Sequence, residues 1–342
     1  TSMDATIFYS AQNPTWKEEK RLNYGGTIVW KADDTIPTTG ATGEVVTVDS
    51  GSCGDNANWA LDSDGILTVS GRGEITSAPW RGDYSRVIKK VMIEEGITAI
   101  SASAAFDSLT SLVRVSLPNT LTKIGTDAFE YCSSLESIVL PDSVTSLGGW
   151  AFSQCTSLKN VTMPSKLPTF GGACFSGCPI ENVYITDLYD WCSVDFSGMG
   201  LEYQNLILNG SAVTDLVIPE GITSISNYAF DYWIGLETVT VPASVTSIGT
   251  YAFRGCENLR EVNLSNGITA LHSYVFAECH SLTKLTLPES ILVMDSNVFV
   301  CNNYSHGKTS SITELRFLGD APSIASDAFT SVTATIAYSA QN

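Results

Sequence analysis

Three histidines, nine cysteines and one knot of acids among aromatics are the side chains of this 342-residue sequence with chemistry to offer beyond packing. Nine cysteines suggest a disulfide framework or a metal site. Cys132, Cys155, Cys178, Cys256 and Cys279, however, each stand three residues after a phenylalanine, and Leu109 and Trp233 fill the same slot elsewhere. A slot that accepts Cys, Leu or Trp is buried and apolar, so reduced, packed thiols are expected. Cys174-x-x-x-Cys178 is the one local pair, and nothing near it supplies the remaining ligands of a zinc site. His272, His280 and His306 lie in no nucleophile context, neither H-E-x-x-H nor G-x-S-x-G occurs, and solvated surface positions are expected for all three. No phosphate-binding glycine loop is present. The sequence calls for no catalytic residue, no cofactor and no metal, and it reads as a non-enzyme.

The acids and aromatics fall together. Tyr184, Tyr189, Trp191, Phe196 and Tyr203 are interleaved with Asp187, Asp190, Asp195 and Glu202. Rings beside carboxylates could form a sugar platform or the acid pair of a glycosidase. The plainer reading is an enlarged turn of chain that fills its own core with large side chains.

What positions these residues is a 23-residue period. Phe106, Phe129, Phe152 and Phe175 are spaced by 23, as are Phe230, Phe253, Phe276 and Phe299, and Phe329 follows after 30. Ahead of the rings lie short β-type segments such as Val144-Thr145-Ser146-Leu147-Gly148. Behind them come others such as Leu135-Glu136-Ser137-Ile138-Val139-Leu140-Pro141. A period of 20 to 29 residues with an L-x-x-V-x-L pattern marks a leucine-rich-repeat solenoid, whose stacked coils share a core that no single coil can bury. The expectation is a β-rich stack with short helical or 3-10 turns, its phenylalanines forming a ladder, and Pro118, Pro141, Pro164, Pro219, Pro242 and Pro288 closing the strands.

These coils resemble the BspA-type leucine-rich repeat, which reads approximately L-P-x-S-V-T-S-I-G-x-x-A-F-x-x-C-x-S-L-x-x-V. The match runs from about residue 87 to 331, broken between Phe175 and Phe230 and between Phe299 and Phe329. The resemblance implies an extracellular or cell-surface protein of an anaerobic, gut-type bacterium that adheres to host or microbial proteins.

The chain divides into an array at 87–342, with an irregular coil at about 179–216, preceded by a small β-rich cap at 44–86 and a linker at 33–43. Residues 1–32 read as the closing segment of a preceding array. Thr1 to Asn13 match Thr330 to Asn342 without gaps, with ten of thirteen positions identical. One unit of a longer tandem protein is expected, with head-to-tail self-association through its two ends.

Aspartate and glutamate number 36 against 18 lysines and arginines. That field repels polyanions, so nucleic acid is excluded as a partner, and no apolar run is long enough for membrane insertion. A protein ligand remains. Its expected surface is the outward row of the concave sheet: Arg114, Asn160, Asn182, Tyr184, Asp215, Glu261, Lys284 and Arg316. A passive spacer is the structural alternative, and a carbohydrate-binding module or glycosidase built on the irregular coil is the third.

Overall fold

The computed structural model describes residues 5–9, 28–32, 45–201, 205–301, 310–330 and 332–338. The proposed linker and most of the first 32 residues therefore lie outside the described residues, as do Glu202, Tyr203 and His306. Two short strands stand near the start, β1 (Ala5–Tyr9) and β2 (Ile28–Ala32). They pair in parallel with Ala5 opposite Ile28, an offset of one 23-residue coil.

An antiparallel meander follows: β3 (Thr47–Ser52), β4 (Asn56–Asp62) and the long β5 (Ile66–Ile75). Gly71 kinks β5 at φ +105°, where a Cβ would stand 2.1 Å from the Asn56 carbonyl. The kink lets one strand start two sheets. Ile66–Val69 pairs with the first strand of the first coil, and Gly73–Ile75 pairs with the second.

Each regular coil then contributes a strand to each sheet. The first four coils give β6 (Lys90–Ile93) and β7 (Ile97–Ile100), β8 (Arg114–Ser116) and β9 (Lys123–Ile124), β10 (Ser137–Val139) and β11 (Ser146–Leu147), and β12 (Asn160–Thr162) and β13 (Thr169–Phe170). The irregular coil holds β14 (Asn182–Ile185), the helix α1 (Leu188–Ser193), β15 (Asn205–Leu208) and β16 (Ser211–Ala212). Regular coils resume with β17 (Asp215–Val217) and β18 (Ser224–Ile225), β19 (Thr238–Val241) and β20 (Ser247–Ile248), β21 (Glu261–Leu264) and β22 (Ala270–Leu271). The last are β23 (Lys284–Leu287) and β24 (Val293–Met294), β25 (Glu314–Phe317) and β26 (Ser323–Ile324), and β27 (Thr335–Tyr338). The result is a β-solenoid of about 11 turns with almost no helix.

The arc between the second strand of one coil and the first strand of the next carries the ladder phenylalanine. These arcs are runs of turns. In most, the residues two before and two after the ring adopt left-handed backbone: Ala104 and Ser108 about Phe106, Asp127 and Tyr131 about Phe129, Tyr228 and Tyr232 about Phe230. That conformation cannot propagate a right-handed helix. It instead aims alternate amides at the next coil, so that Phe106 N donates to Ala128 O, Phe129 N to Ala151 O and Phe152 N to Cys174 O, each at 2.8 Å.

The rings stack as the period demands. Trp80 begins the series over Phe106, and centroid separations of 5.2, 4.9, 5.3 and 5.6 Å carry it to Phe175. A second series runs from Phe230 through Phe253, Phe276 and Phe299 to Phe329 at 5.2 to 6.3 Å. The longer interval before Phe329 thus leaves the stack unbroken. The interval before Phe230 does not. There Trp191 of α1 is fully buried and donates from Nε1 to Ala229 O at 2.7 Å, as Trp80 donates to Ala105 O at 2.8 Å. Both tryptophans bond the carbonyl just ahead of a ladder ring. Trp80 also stacks on the first ring, and the two ladders are joined at α1.

Candidate binding surface

All nine cysteines are free and buried. Five have a repeated partner that spacing alone did not disclose. Cys132, Cys155, Cys178, Cys256 and Cys279 each donate from Sγ, at 3.0 to 3.2 Å, to the carbonyl of the ladder phenylalanine one coil earlier. The left-handed residue after each ring leaves that carbonyl facing the core, and a thiol is a donor small enough to reach it without a desolvated charge. Burial pushes Cys132, Cys174 and Cys192 up to about 12, Cys53 up to about 11, and Cys256 and Cys279 well above the ordinary thiol value. Cys155 is raised by its contact with Cys178 and by burial. Such groups stay protonated and inert. Among the described residues no cluster of three His, Cys, Asp or Glu could hold a metal.

The histidines divide. His272 pairs with Asp295 at 2.9 Å in a half-exposed position. His280 corrects the surface reading: its side chain is buried, 3.5 Å from Glu278. It follows Cys279 into the core side of the arc, and the sequence holds no mark of that direction.

In the irregular coil two of the rings serve packing. Trp191 and Phe196 are buried with centroids 4.5 Å apart. The acids hold backbone. Asp187 caps α1 by accepting from Tyr189 N at 2.8 Å, and Asp190 accepts from Leu167 N at 3.2 Å. Asp195 accepts from Ser197 and from Asn227 Nδ2. Burial raises its pKa, but the Ser197 and Asn227 hydrogen bonds outweigh that and leave it below the usual carboxylate range. Tyr189 is exposed and its hydroxyl donates to the Glu220 carbonyl.

The first sheet, made by the first strand of each coil, turns two rows of side chains outward. Lys90 lies opposite Arg114. Asn160, Asn182 and Asn205 form an amide ladder, with Nδ2 of each later residue donating to Oδ1 of the one before at 2.9 and 3.0 Å. Asp215 accepts from Thr238 Oγ1 at 2.7 Å and Thr214 Oγ1 at 3.3 Å. Glu261 accepts from Asn263 Nδ2 at 2.9 Å, and Lys284 pairs with Glu314 of the next coil at 2.9 Å. Arg114 and Arg316 are exposed, while Tyr184 and the two asparagines are half-buried. The named residues therefore stand on the first strands of their coils, spread over several sheets, and several are tied to their neighbours rather than free. The second row includes exposed apolar side chains: Val139 is 62% exposed and Val217 64%.

Sequence reasoning missed two features. One is a tyrosine stack, Tyr228–Tyr251–Tyr274, with centroids 4.8 and 4.7 Å apart. The Arg254 guanidinium lies 4.5 Å from the Tyr251 centroid and 4.7 Å from that of Tyr232, and it binds the buried Asp231 through Nε at 2.8 Å and Nη2 at 2.6 Å. Tyrosine two residues before the ring in three successive coils was the available signal. The other is a break in the first sheet. β15 turns back through Asn209 and Gly210, both at positive φ, into β16, which pairs with it antiparallel. β17 then opens a separate sheet with β19 and β21. Asn-Gly between apolar residues is the hairpin signal that pointed to it.

Parallel coils, a ring ladder and a polar outward sheet define a leucine-rich-repeat solenoid. Residues 83–198 and 204–336 match the BspA type leucine-rich repeat region in six copies, and the chain belongs to that family. A leucine rich cell surface protein from Faecalibacterium prausnitzii is similar in structure, at 23% identity over 88% of this chain and 97% of that one, with a TM-score of 0.46. A leucine-rich repeat protein from Eubacterium ventriosum is similar at 18% identity over 80% and 85%, TM-score 0.43. The pneumococcal vaccine antigen PcpA is similar at 16% identity over 82% and 88%, TM-score 0.44. No match is found among curated proteins. Among the described residues no helix is long and apolar enough to cross a membrane.

Proposed function

We propose that this chain is an extracellular or cell-surface module that binds a protein through the outward face of its first sheet, in an adhesive role toward host or microbial proteins. The observation that carries the reading is the exposure of two valines, Val139 and Val217, each at an outward position of a first strand among mostly polar neighbours. Apolar side chains within a polar surround are the composition of a contact surface, whereas a face kept only for solubility has no use for them. Family membership supports a protein-interaction role. The excess of acid directs the choice of partner away from polyanions.

The specific observation that favours a passive spacer is the tying of outward side chains to one another, in the asparagine ladder and the Lys284–Glu314 pair. Binding assays on the full chain against extracellular matrix proteins and a glycan array separate the readings. Saturable binding to a protein, weakened in a Val139→Thr, Arg114→Glu variant that still folds, supports the module. Silence toward every probe supports the spacer. Glycan binding or hydrolysis lost on changing Asp187, Asp190 or Asp195 returns the carbohydrate reading.

A further inference from the structure

The break in the first sheet leaves backbone unpaired between β16 and β17. β16 pairs with β15 alone, and β17 with β19 alone. In β17 the direction of each group follows from two printed bonds. Thr238 N donates to Thr214 O at 3.1 Å, and Ile218 N donates to Thr240 O at 3.0 Å. In a parallel pair the residues that face the neighbouring strand alternate, so Thr214, Leu216 and Ile218 turn toward β19. Asp215 and Val217 turn their N–H and C=O the other way, toward β16.

A groove of about 380 Å³ occupies that gap. It is lined by Leu188, Leu208, Val213, Leu216 and Val217 together with Ser211–Ala212 of β16. Leu188 and Leu216 are buried in its floor, and Val217 stands exposed at its rim. One carboxylate lines it, that of Asp215 on β17. Among the described residues no Lys, Arg or His lies within ion-pair distance of it. Thr238 and Thr214 hold the Asp215 carboxylate in place.

We propose that the gap between β16 and β17 is a slot for an extended peptide segment of a partner protein, bearing an apolar side chain flanked by Lys or Arg. The segment adds a strand to the open edge of β17, where Asp215 and Val217 supply donors and acceptors in the spacing of a sheet. Its apolar residue enters the groove over Leu188 and Leu216, and a flanking cation meets Asp215. The three residues of β17 extend about 10 Å, which sets the paired length at about three residues. This deepens the protein-binding reading by giving it one location and one chemistry.

The test pans a random twelve-residue peptide library on the full chain and measures selected peptides against variants. Val217→Pro deletes an N–H that faces the slot and none that serves the β17–β19 ladder. Val217→Arg keeps the N–H but places a like charge at the rim. The expected selection alternates apolar residues with Lys or Arg. Binding falls by about fivefold to tenfold in V217P, as the loss of one backbone hydrogen bond implies, and at least as far in V217R. If V217P fails to fold, V217R decides. On the wild-type chain a bound peptide slows hydrogen exchange at the Asp215 and Val217 amides above all others. Peptides that bind both variants as tightly as wild type, or that protect another coil, overturn the slot and leave the protein-binding reading standing. Failure to enrich any peptide also overturns the slot, and the wider reading then rests on the matrix-protein assay alone.

Discussion

If the two ring ladders are separate, a double-mutant cycle will detect the seam between them. Phe129 stacks on Phe106 at 4.9 Å and on Phe152 at 5.3 Å, and Phe152 stacks in turn on Phe175 at 5.6 Å. Replacing either by Leu keeps an apolar group but removes two stacks. At about 0.5–1.5 kcal/mol per aromatic pair, each single change costs about 1–3 kcal/mol. In the double variant the shared stack is lost once and not twice, so the combined cost falls short of the sum by about 0.5–1.5 kcal/mol. Phe175→Leu with Phe230→Leu is the contrast. Those rings end the two ladders on opposite sides of α1 and do not stack on each other, so their costs add to within about 0.5 kcal/mol. Urea unfolding followed by circular dichroism gives the midpoints, with slope m checked for constancy because long arrays lose two-state behaviour. Equal coupling in the near and far pairs would refute the two-ladder description, since it would require a contact route that bypasses α1.

The remaining predictions concern the groups that tie coils together. Cys132, Cys155, Cys256 and Cys279 resist a thiol reagent in the native protein and react on unfolding, with no gain after reduction; rapid native labelling or hidden disulfides would contradict this. Stability falls as pH rises from about 9 toward about 12, because an unfolded thiol releases its proton near 9 while folded Cys132 holds it to about 12; Tyr228 and Tyr251, raised by burial, add in the same direction. Arg254→Ala costs about 3–5 kcal/mol by removing the bidentate partner of buried Asp231, and Arg254→Lys recovers only part of it; thermal unfolding of both variants measures the difference. Gly210→Ala costs about 1 kcal/mol because φ is +81° there, and it raises hydrogen exchange in β16 ahead of any other strand.

The sequence made the stack legible because its dominant force is periodic. A buried ring every 23 residues marks a coil, and the thiol slot three residues on was recognisable by the company Cys keeps with Leu109 and Trp233. The left-handed residues beside each ring were not legible. They are Ala, Ser, Asp, Tyr, Trp, Gln, Asn and Glu as well as Gly, so no residue type announces a conformation that inter-coil hydrogen bonds impose. The outward rows followed from strand alternation, as Arg114, Lys284 and Arg316 show. Which of those side chains neighbours would engage did not follow, since Asn160 and Asn182 look free until Asn205 is seen to complete their ladder. Val217, two residues after Asp215, faces outward by the same alternation, but its importance depends on an unpaired edge. That edge exists only because Asn209-Gly210 sends the chain back on itself, a signal two residues long against a background of regular coils.

The junction between the two ladders bears on how such chains change length. Regular coils within a ladder present similar amides and the same ring face to the next, so a whole 23-residue block can be gained or lost by unequal crossover without leaving a mismatched joint. The α1 segment has no such freedom, because its upper and lower faces are different. Growth is thereby confined to either side of a fixed junction. The groove at that junction keeps its shape while the distance from it to each end of the molecule is free to vary, and lineages can tune reach without altering what is held.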